Sequence, residues 1–170
     1  EIKNRLRQET MVARIAALLA TVDEPISVYN EILKVIGTTL GAGRVTVFAI
    51  DEVDHVFSLM ALWLAPGIKP TGAPQTAIPF SRLPWAQSYI AQCQILRIEN
   101  KNDIPPSDRE IFSTMDINSA IVIPITISTC AVGVLGIDMQ TQHVWEEPEI
   151  NMLKAAADIV ANAWTRQIEI

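Results

Sequence analysis

Alternation of apolar and polar residues is strongest between positions 119 and 139. Isoleucines recur at every second position from Ile121 to Ile127, a period that places them on one face of a β-strand and not on one side of a helix. A short turn of small and polar residues around Cys130 separates this run from a second β-branched run, from Val132 to Ile137. We therefore predict an antiparallel hairpin at the centre of a sheet.

Three residues within this hairpin are unusual for strands. Gly133 and Gly136 lack a side chain where a strand usually packs one, which predicts that a helix backbone comes close or that the strand bends. Pro124 has no amide hydrogen to donate, so its position predicts a bulge or an unpaired edge.

Three- and four-residue spacing of apolar positions predicts long helices at both ends of the chain. The first covers residues 2–22; its charged first turns suggest a coiled coil that projects from the domain, and its apolar last turns are expected to pack on the sheet. The second covers residues 25–40, with Pro25 suited to a first helical turn. The last begins near Trp145 with acidic residues in its first turn and is rich in alanine, which lets a helix approach its partner closely.

The middle of the chain predicts short elements. Strands are expected at residues 44–51, 56–65, 78–80 and 95–98, short helices at residues 84–92 and 108–115, and an irregular loop at residues 66–77. This order predicts an α+β fold. Its antiparallel sheet has about five or six strands, with the long terminal helices on one face and the short helices and loops on the other. We divide the chain into an N-terminal helix, residues 1–22, and a domain, residues 23–170.

Composition restricts the classes of function. The 170 residues suit one domain, and a formal charge of −6 with a pI near 4.9 argues against binding to nucleic acid or an anionic membrane. No apolar run approaches the roughly 18 residues of a membrane span, so we expect a cytoplasmic protein. The chain begins and ends inside predicted helices, and we expect it to be part of a longer protein.

Cysteine and histidine residues give no sign of metal or redox chemistry. Cys93 and Cys130 are far apart in the sequence and form no C-x-x-C pair, so we expect reduced, buried thiols and no zinc site. His55 and His143 fall in predicted turns and are expected to be exposed.

Several segments, taken in order, resemble the GAF domain family, a relative of the PAS fold. The matching segments are residues 44–51, the strand at 78–80 with its following helix, residues 108–109 and 117–119, the strand at 122–125, residues 132–138, 145–153 and 156–163. The resemblance spans nearly the whole chain from about Val22. It implies a regulatory domain that binds a small molecule between the sheet and the short helices.

The resemblance also implies a mode of signalling. The terminal helices would form a parallel homodimer and relay the ligand state to an output module, a histidine kinase or a diguanylate cyclase. This domain itself is not expected to be an enzyme, since we find no reacting constellation of side chains. The alternative is a ligand-free GAF domain that serves as a dimerisation spacer.

No cofactor is assigned from the resemblance. Bilin-binding relatives attach the pigment through a cysteine on a pocket helix, and neither Cys93 nor Cys130 stands at that place. Cyclic-nucleotide relatives carry an Asn-Lys, Phe, Asp-Glu motif after the hairpin, whereas the similar residues Asn100, Lys101 and Phe112 precede it. Haem is not supported either, and reduction of methionine sulfoxide would need a cluster of cysteines.

The predicted ligand site combines aromatic and polar side chains. Trp85 and Tyr89, four residues apart on a helix, would form a ligand wall. An arginine could bind an anionic group. The full set of candidate residues is Trp85, Tyr89, Arg97, Arg109, Phe112 and Ser119.

Overall fold

The computed structural model describes residues 2–20, 25–68 and 76–168. Its helices are α1 (Ile2–Ala20), α2 (Pro25–Leu40), α3 (Pro84–Ala91), α4 (Pro106–Thr114) and α5 (Glu147–Ile168). Its strands are β1 (Arg44–Asp51), β2 (Val56–Leu64), β3 (Ala77–Pro79), β4 (Leu96–Ile98), β5 (Ser119–Ile127) and β6 (Cys130–Met139). Single 3-10 turns occur at Phe80–Arg82 and Lys101–Asp103. The predicted α+β class is confirmed.

One six-stranded sheet has the order β3-β2-β1-β6-β5-β4, and every neighbouring pair is antiparallel. The predicted hairpin forms as β5 and β6, and β6 lies in the centre of the sheet beside β1. Pairing of β4 with β5 stops at Val122, and the register of β5 shifts between Ile125 and Thr126. Pro124 therefore lies next to a bulge and beyond the end of β4, as its missing amide hydrogen predicts.

Helices α2 and α5 cover one face of the sheet, and α1 packs on both of them in the same core. Ile121, Ile123 and Ile125 point into this core, while Ile127 near the turn is only partly buried. Three alanines of α5 lie almost fully buried, which brings the helix close to the sheet. These alanines are Ala156, Ala157 and Ala163.

Short helices α3 and α4 cover the opposite face. A second core forms there from Phe48, Phe57, Leu96, Ile98, Ile111 and neighbouring apolar side chains. Because β1, β5 and β6 are largely buried on both faces, their sequences are nearly continuous apolar runs. The predicted arrangement of long helices on one face and short helices on the other is confirmed.

Two details correct the sequence interpretation. A Cβ at Gly133 would lie 2.7 Å from the carbonyl oxygen of Phe48 and 3.0 Å from the Trp164 ring, and one at Gly136 would lie 2.9 Å from the Thr46 hydroxyl. Glycine is thus required at both positions because a neighbouring strand and side chains lie close, and not because a helix backbone does. Helix α4 also starts two residues earlier than predicted, at Pro106. The end of the first predicted helix, at 21–22, and positions 69–75 of the predicted loop lie outside the described residues.

Among the helices of the described residues, none combines the length and apolar character needed to cross a membrane.

Candidate ligand-binding site

An apolar cavity lies between the sheet and the short helices α3 and α4. Its volume is about 70 Å³, which suits a small ligand group and is less than the roughly 300 Å³ of typical ligand pockets. Its wall comes from Thr46, Phe48, Phe57, Ile78, Leu83, Ala86, Ile90, Ile111, Phe112, Met115, Ile117, Val122, Val134, Gly136 and Asp138. We call this space the inner cavity.

A larger and more polar space opens beside it, at the end of the sheet where β1 begins. We call it the outer cleft; its volume is about 370 Å³. Its wall comes from Gly43, Arg44, Gly67, Ile68, Thr114, Met115, Asp116, Asp138, Met139 and Gln140. Met115 and Asp138 line both spaces. The two residues therefore form the boundary between an apolar chamber and a polar entrance.

An arginine and a carboxylate meet at this boundary because their strands are paired. Arg44 of β1 lies directly opposite Asp138 of β6, and its Nη1 donates to Asp138 Oδ2 at 3.2 Å and to the carbonyl oxygen of Met115 at 3.0 Å. The Arg44 side chain is buried, and that of Asp138 is 15% exposed. Arg44 thus joins the sheet to the end of α4 at the mouth of the cleft.

Burial raises the pKa of Asp138 to about 6, from a usual value of 3.8, although the nearby Arg44 charge and hydrogen bond lower it. The carboxyl group therefore changes between hydrogen-bond donor and acceptor in the pH range of weakly acidic solutions.

We expect a carbon-13 NMR titration of the Asp138 carboxyl to show an inflection near pH 6. Because the folded chain holds this proton more tightly than the unfolded chain, the contribution of Asp138 to stability is complete below pH 3.8 and is lost as the pH rises through about 6. Asp138→Asn, which stays neutral, should remove this part of the pH dependence and assigns the resonance. An inflection near 3.8 would show that attraction to Arg44 fully offsets the effect of burial, and one below 3.8 that it outweighs burial.

The covering helices are fixed to each other by Asp108, which sequence reasoning did not identify as a functional position. This buried carboxylate lies in the first turn of α4 and accepts hydrogen bonds from the backbone amides of Trp85, at 3.1 Å, and Ala86, at 2.9 Å. It thereby caps α3, since Leu83 at the N-cap position makes no side-chain cap. In the sequence, Asp108 was marked only as part of residues 108–109, one of the segments that resemble the GAF family.

The aromatic candidates for the ligand site divide into two groups. Phe112 is buried and lines the inner cavity. Trp85 and Tyr89 form an edge-to-face pair with ring centroids 5.7 Å apart and pack partly buried against the second core. Neither of them belongs to the wall of the inner cavity or the outer cleft.

The polar candidates also lie away from both spaces. Arg97 pairs with Glu147 at 3.0 Å, with both side chains largely exposed. Arg109 Nη2 donates to the carbonyl oxygen of Ile104. Ser119 is buried, and its hydroxyl donates to the carbonyl oxygen of Thr141 at 2.8 Å. Of the six candidates, the structure thus places Phe112 on the cavity wall, while Met115 and Asp138 form the boundary and Arg44 binds to both.

The prediction about the cysteines was wrong, because both Cys93 and Cys130 are exposed. They follow a helix end and a hairpin turn, where few neighbours cover the side chain. His55 is exposed as predicted, whereas His143 is partly buried, since its ring packs on Trp145 and its Nε2 lies 2.8 Å from Glu149 Oε1. In the described part of the chain, no three His, Cys, Asp or Glu side chains converge as metal ligands.

An antiparallel sheet with terminal helices on one face and a covered cavity on the other defines a PAS-like α+β domain. A model of the GAF domain family matches residues 24–164. The chain therefore belongs to the GAF family, as its sequence resemblance predicted. No curated protein sequence matches the chain.

Solved structures share this fold at low sequence identity. A phycocyanobilin-bound GAF domain from a cyanobacterial phytochrome is 18% identical, with a TM-score of 0.79 over 94% of each chain. The free methionine-R-sulfoxide reductase from Neisseria meningitidis, in complex with its substrate, is 18% identical, with a TM-score of 0.76 over 95% of this chain and 91% of its own. A methyl-accepting chemotaxis protein is 18% identical, with a TM-score of 0.72 over 89% of this chain and 95% of its own.

Proposed function

We propose that the chain is a cytoplasmic regulatory domain that senses a small molecule at the boundary between the outer cleft and the inner cavity. The observation that carries the proposal is the meeting of the two spaces at Met115 and Asp138. Membership of the GAF family supports a sensory role. Catalysis in the parent protein belongs to an output module, and this domain is not an enzyme.

The two spaces support a ligand that has both a polar and an apolar part. Its polar part occupies the outer cleft of about 370 Å³, beside Arg44 and Asp138. A small apolar group enters the inner cavity of about 70 Å³, beside Phe112. The ligand donates to or accepts from Asp138 according to the protonation of that carboxyl group. Of the residues predicted from sequence, the proposal keeps Phe112 and replaces the other five with Arg44, Met115 and Asp138.

Strand β6 supplies a route from the site to the terminal helices. It carries Asp138 near one end and Gly133 nearer the other, and Gly133 lies under the Trp164 ring of α5. Helix α5 in turn packs on α1. A change at Asp138 that shifts β6 therefore reaches α5 through a direct contact.

The terminal helices would carry the signal in a parallel homodimer to a histidine kinase or diguanylate cyclase. Ile2 and Leu6 on α1 are 78% and 57% exposed, and a second copy of α1 would cover them. One of the structurally similar proteins is a methyl-accepting chemotaxis protein, in keeping with a signalling role.

A thermal-shift screen of nucleotides, amino acids and other small metabolites tests the proposal. A ligand at 100 times its dissociation constant adds about 2.7 kcal/mol of stability, which raises the melting temperature measurably. Asp138→Asn should abolish most of the shift, whereas the matched control Arg97→Gln, at an exposed residue outside both spaces, should leave it unchanged. Isothermal titration calorimetry of the wild type and both variants gives the affinities.

Two results would contradict the proposal. A ligand whose affinity is the same in the wild type and in Asp138→Asn binds elsewhere. No stabilising compound at all, from a chain that is a dimer by light scattering, would favour the ligand-free spacer, which the small inner cavity of about 70 Å³ already makes the second candidate.

A further inference from the structure

The two cysteines lie at the same end of the sheet, the end away from the outer cleft. Cys93 follows the end of α3, and Cys130 is the first residue of β6 after the hairpin turn. The Cys93 Sγ donates to the carbonyl oxygen of Thr129 at 3.4 Å. Both cysteines are exposed, so a soluble oxidant reaches either thiol.

This contact limits the distance between the two cysteines. Standard covalent geometry places the Cys130 Cα about 2.8 Å from the Thr129 oxygen and the Cys93 Sγ about 2.8 Å from its own Cα. With the 3.4 Å contact between them, the two Cα atoms are at most roughly 9 Å apart. Disulfides usually span Cα separations of about 4.4–6.8 Å. The Cα separation therefore exceeds the disulfide range by no more than roughly 2 Å, and both cysteines lie at exposed turns, where the backbone adjusts most readily.

The backbone at Cys93 indicates that this residue does not serve local stability. Its φ is +55°, in the left-handed region where glycine or asparagine usually ends a helix. A residue with a Cβ is disfavoured there. Cys93 thus has a backbone conformation that a glycine would adopt more readily. Its thiol contacts Thr129, the residue before Cys130.

We propose that Cys93 and Cys130 form a reversible intramolecular disulfide, with a low-molecular-weight disulfide such as oxidised glutathione as the oxidant. One cysteine thiolate attacks the glutathione disulfide, forming a mixed disulfide and releasing one glutathione thiolate. The second cysteine thiolate then attacks the protein sulfur of that mixed disulfide and releases the second glutathione. The chain loses two electrons and two protons, and the glutathione disulfide gains both.

The disulfide would fix one wall of the inner cavity. A space of about 230 Å³ separates the end of α3 from the hairpin turn, and its wall includes Ile90, Cys130 and Phe57. Ile90 and Phe57 also line the inner cavity. A covalent link between residues 93 and 130 joins α3 to the β5–β6 hairpin across this space. Oxidation thus reduces the movement of α3 relative to the sheet.

The test is titration of the purified reduced chain with oxidised glutathione, followed by intact mass and counting of free thiols. The wild type should lose two hydrogen atoms and both thiols, at a rate independent of protein concentration. Peptide mapping without reductant should recover the segments that contain Cys93 and Cys130 as one cross-linked species, which dithiothreitol separates. Amide hydrogen exchange in both turns should slow in the oxidised chain and return to its former rate after reduction.

Cys93→Ser and Cys130→Ser are the matched controls, because each keeps a polar side chain of similar size. Each variant should stop at the mixed disulfide with one bound glutathione, or form concentration-dependent dimers. The proposal is overturned if the wild type also stops with one or two bound glutathiones, since the thiols then fail to reach each other. It is equally overturned if the wild type forms disulfide-linked dimers as its main product.

Discussion

Replacing Asp108 by alanine is expected to lower the free energy of unfolding by about 3 kcal/mol, because a hydrogen bond to a charged group contributes roughly 1.5–3 kcal/mol. The carboxylate of Asp108 is fully buried and accepts from the amides of Trp85 and Ala86. Alanine leaves these amides at the N-terminus of α3 without their acceptor and removes a negative charge from the positive end of that helix. Guanidinium unfolding followed by circular dichroism measures the loss.

Two companion variants separate the cap from general effects of substitution. Asp108→Asn keeps the shape but only one acceptor oxygen, so its loss should fall between the wild type and alanine. Ser107→Ala removes only the hydroxyl that donates to Asp108 Oδ1 at 2.8 Å, and we expect a loss of about 1 kcal/mol or less. Equal losses in Asp108→Ala and Ser107→Ala would show that the contacts to α3 contribute little.

The cap also connects stability to the proposed site. Helices α3 and α4 both supply walls of the inner cavity, through Ala86 and Ile90 on one and Ile111 and Phe112 on the other. Asp108 is a direct polar link between the two helices. Loosening that link should weaken ligand binding at the boundary even though Asp108 lines neither space.

Much of the fold was predictable because local patterns dominate it. The alternation from Ile121 to Ile127 and the spacing in the terminal helices each report which side of an element is buried. Helix α2 and strand β1 have the bounds that the sequence predicts, since Pro25 suits a first helical turn and Gly41, with a φ of +69°, follows Leu40 at the helix end. The order of the strands within the sheet was not predicted, because periodicity shows which side of a strand is buried and not which strand lies beside it.

The candidate site was less predictable because it depends on strand register. Arg44 and Asp138 are 94 residues apart, and only the pairing of β1 with β6 places them opposite each other. Arg97 has the positive charge that suits an anionic ligand. Its neighbours Leu96 and Ile98 are buried in the second core, however, and the Arg97 side chain lies on the exposed face of the strand. In a strand of only three residues, the sequence does not show which side chains face the core and which face the solvent.

Replacing Gly133 by alanine is expected to lower the free energy of unfolding by about 3 kcal/mol, at the upper end of the usual cost of overpacking. The new Cβ would lie 2.7 Å from the carbonyl oxygen of Phe48 and 3.0 Å from the Trp164 ring. The first obstacle is backbone of β1 in the middle of the sheet, so it moves only if the pairing of β1 with β6 is distorted. Gly43→Ala is the matched control, because its Cβ would meet only the flexible Gln140 side chain at 3.2 Å and more distant atoms; we expect a change below about 1 kcal/mol.

A double-mutant cycle with Trp164→Ala separates the two obstacles at Gly133. If the Phe48 carbonyl oxygen dominates, Gly133→Ala should cost nearly the same in the presence and absence of the Trp164 ring. If the ring dominates, the cost should largely disappear in the double variant, and the contact between β6 and α5 is then the tighter one. That second result would strengthen the proposed relay, because a small shift of β6 would press directly on the last helix. A cost near zero for Gly133→Ala in the wild-type background would contradict the close approach itself, and with it the route from Asp138 to α5.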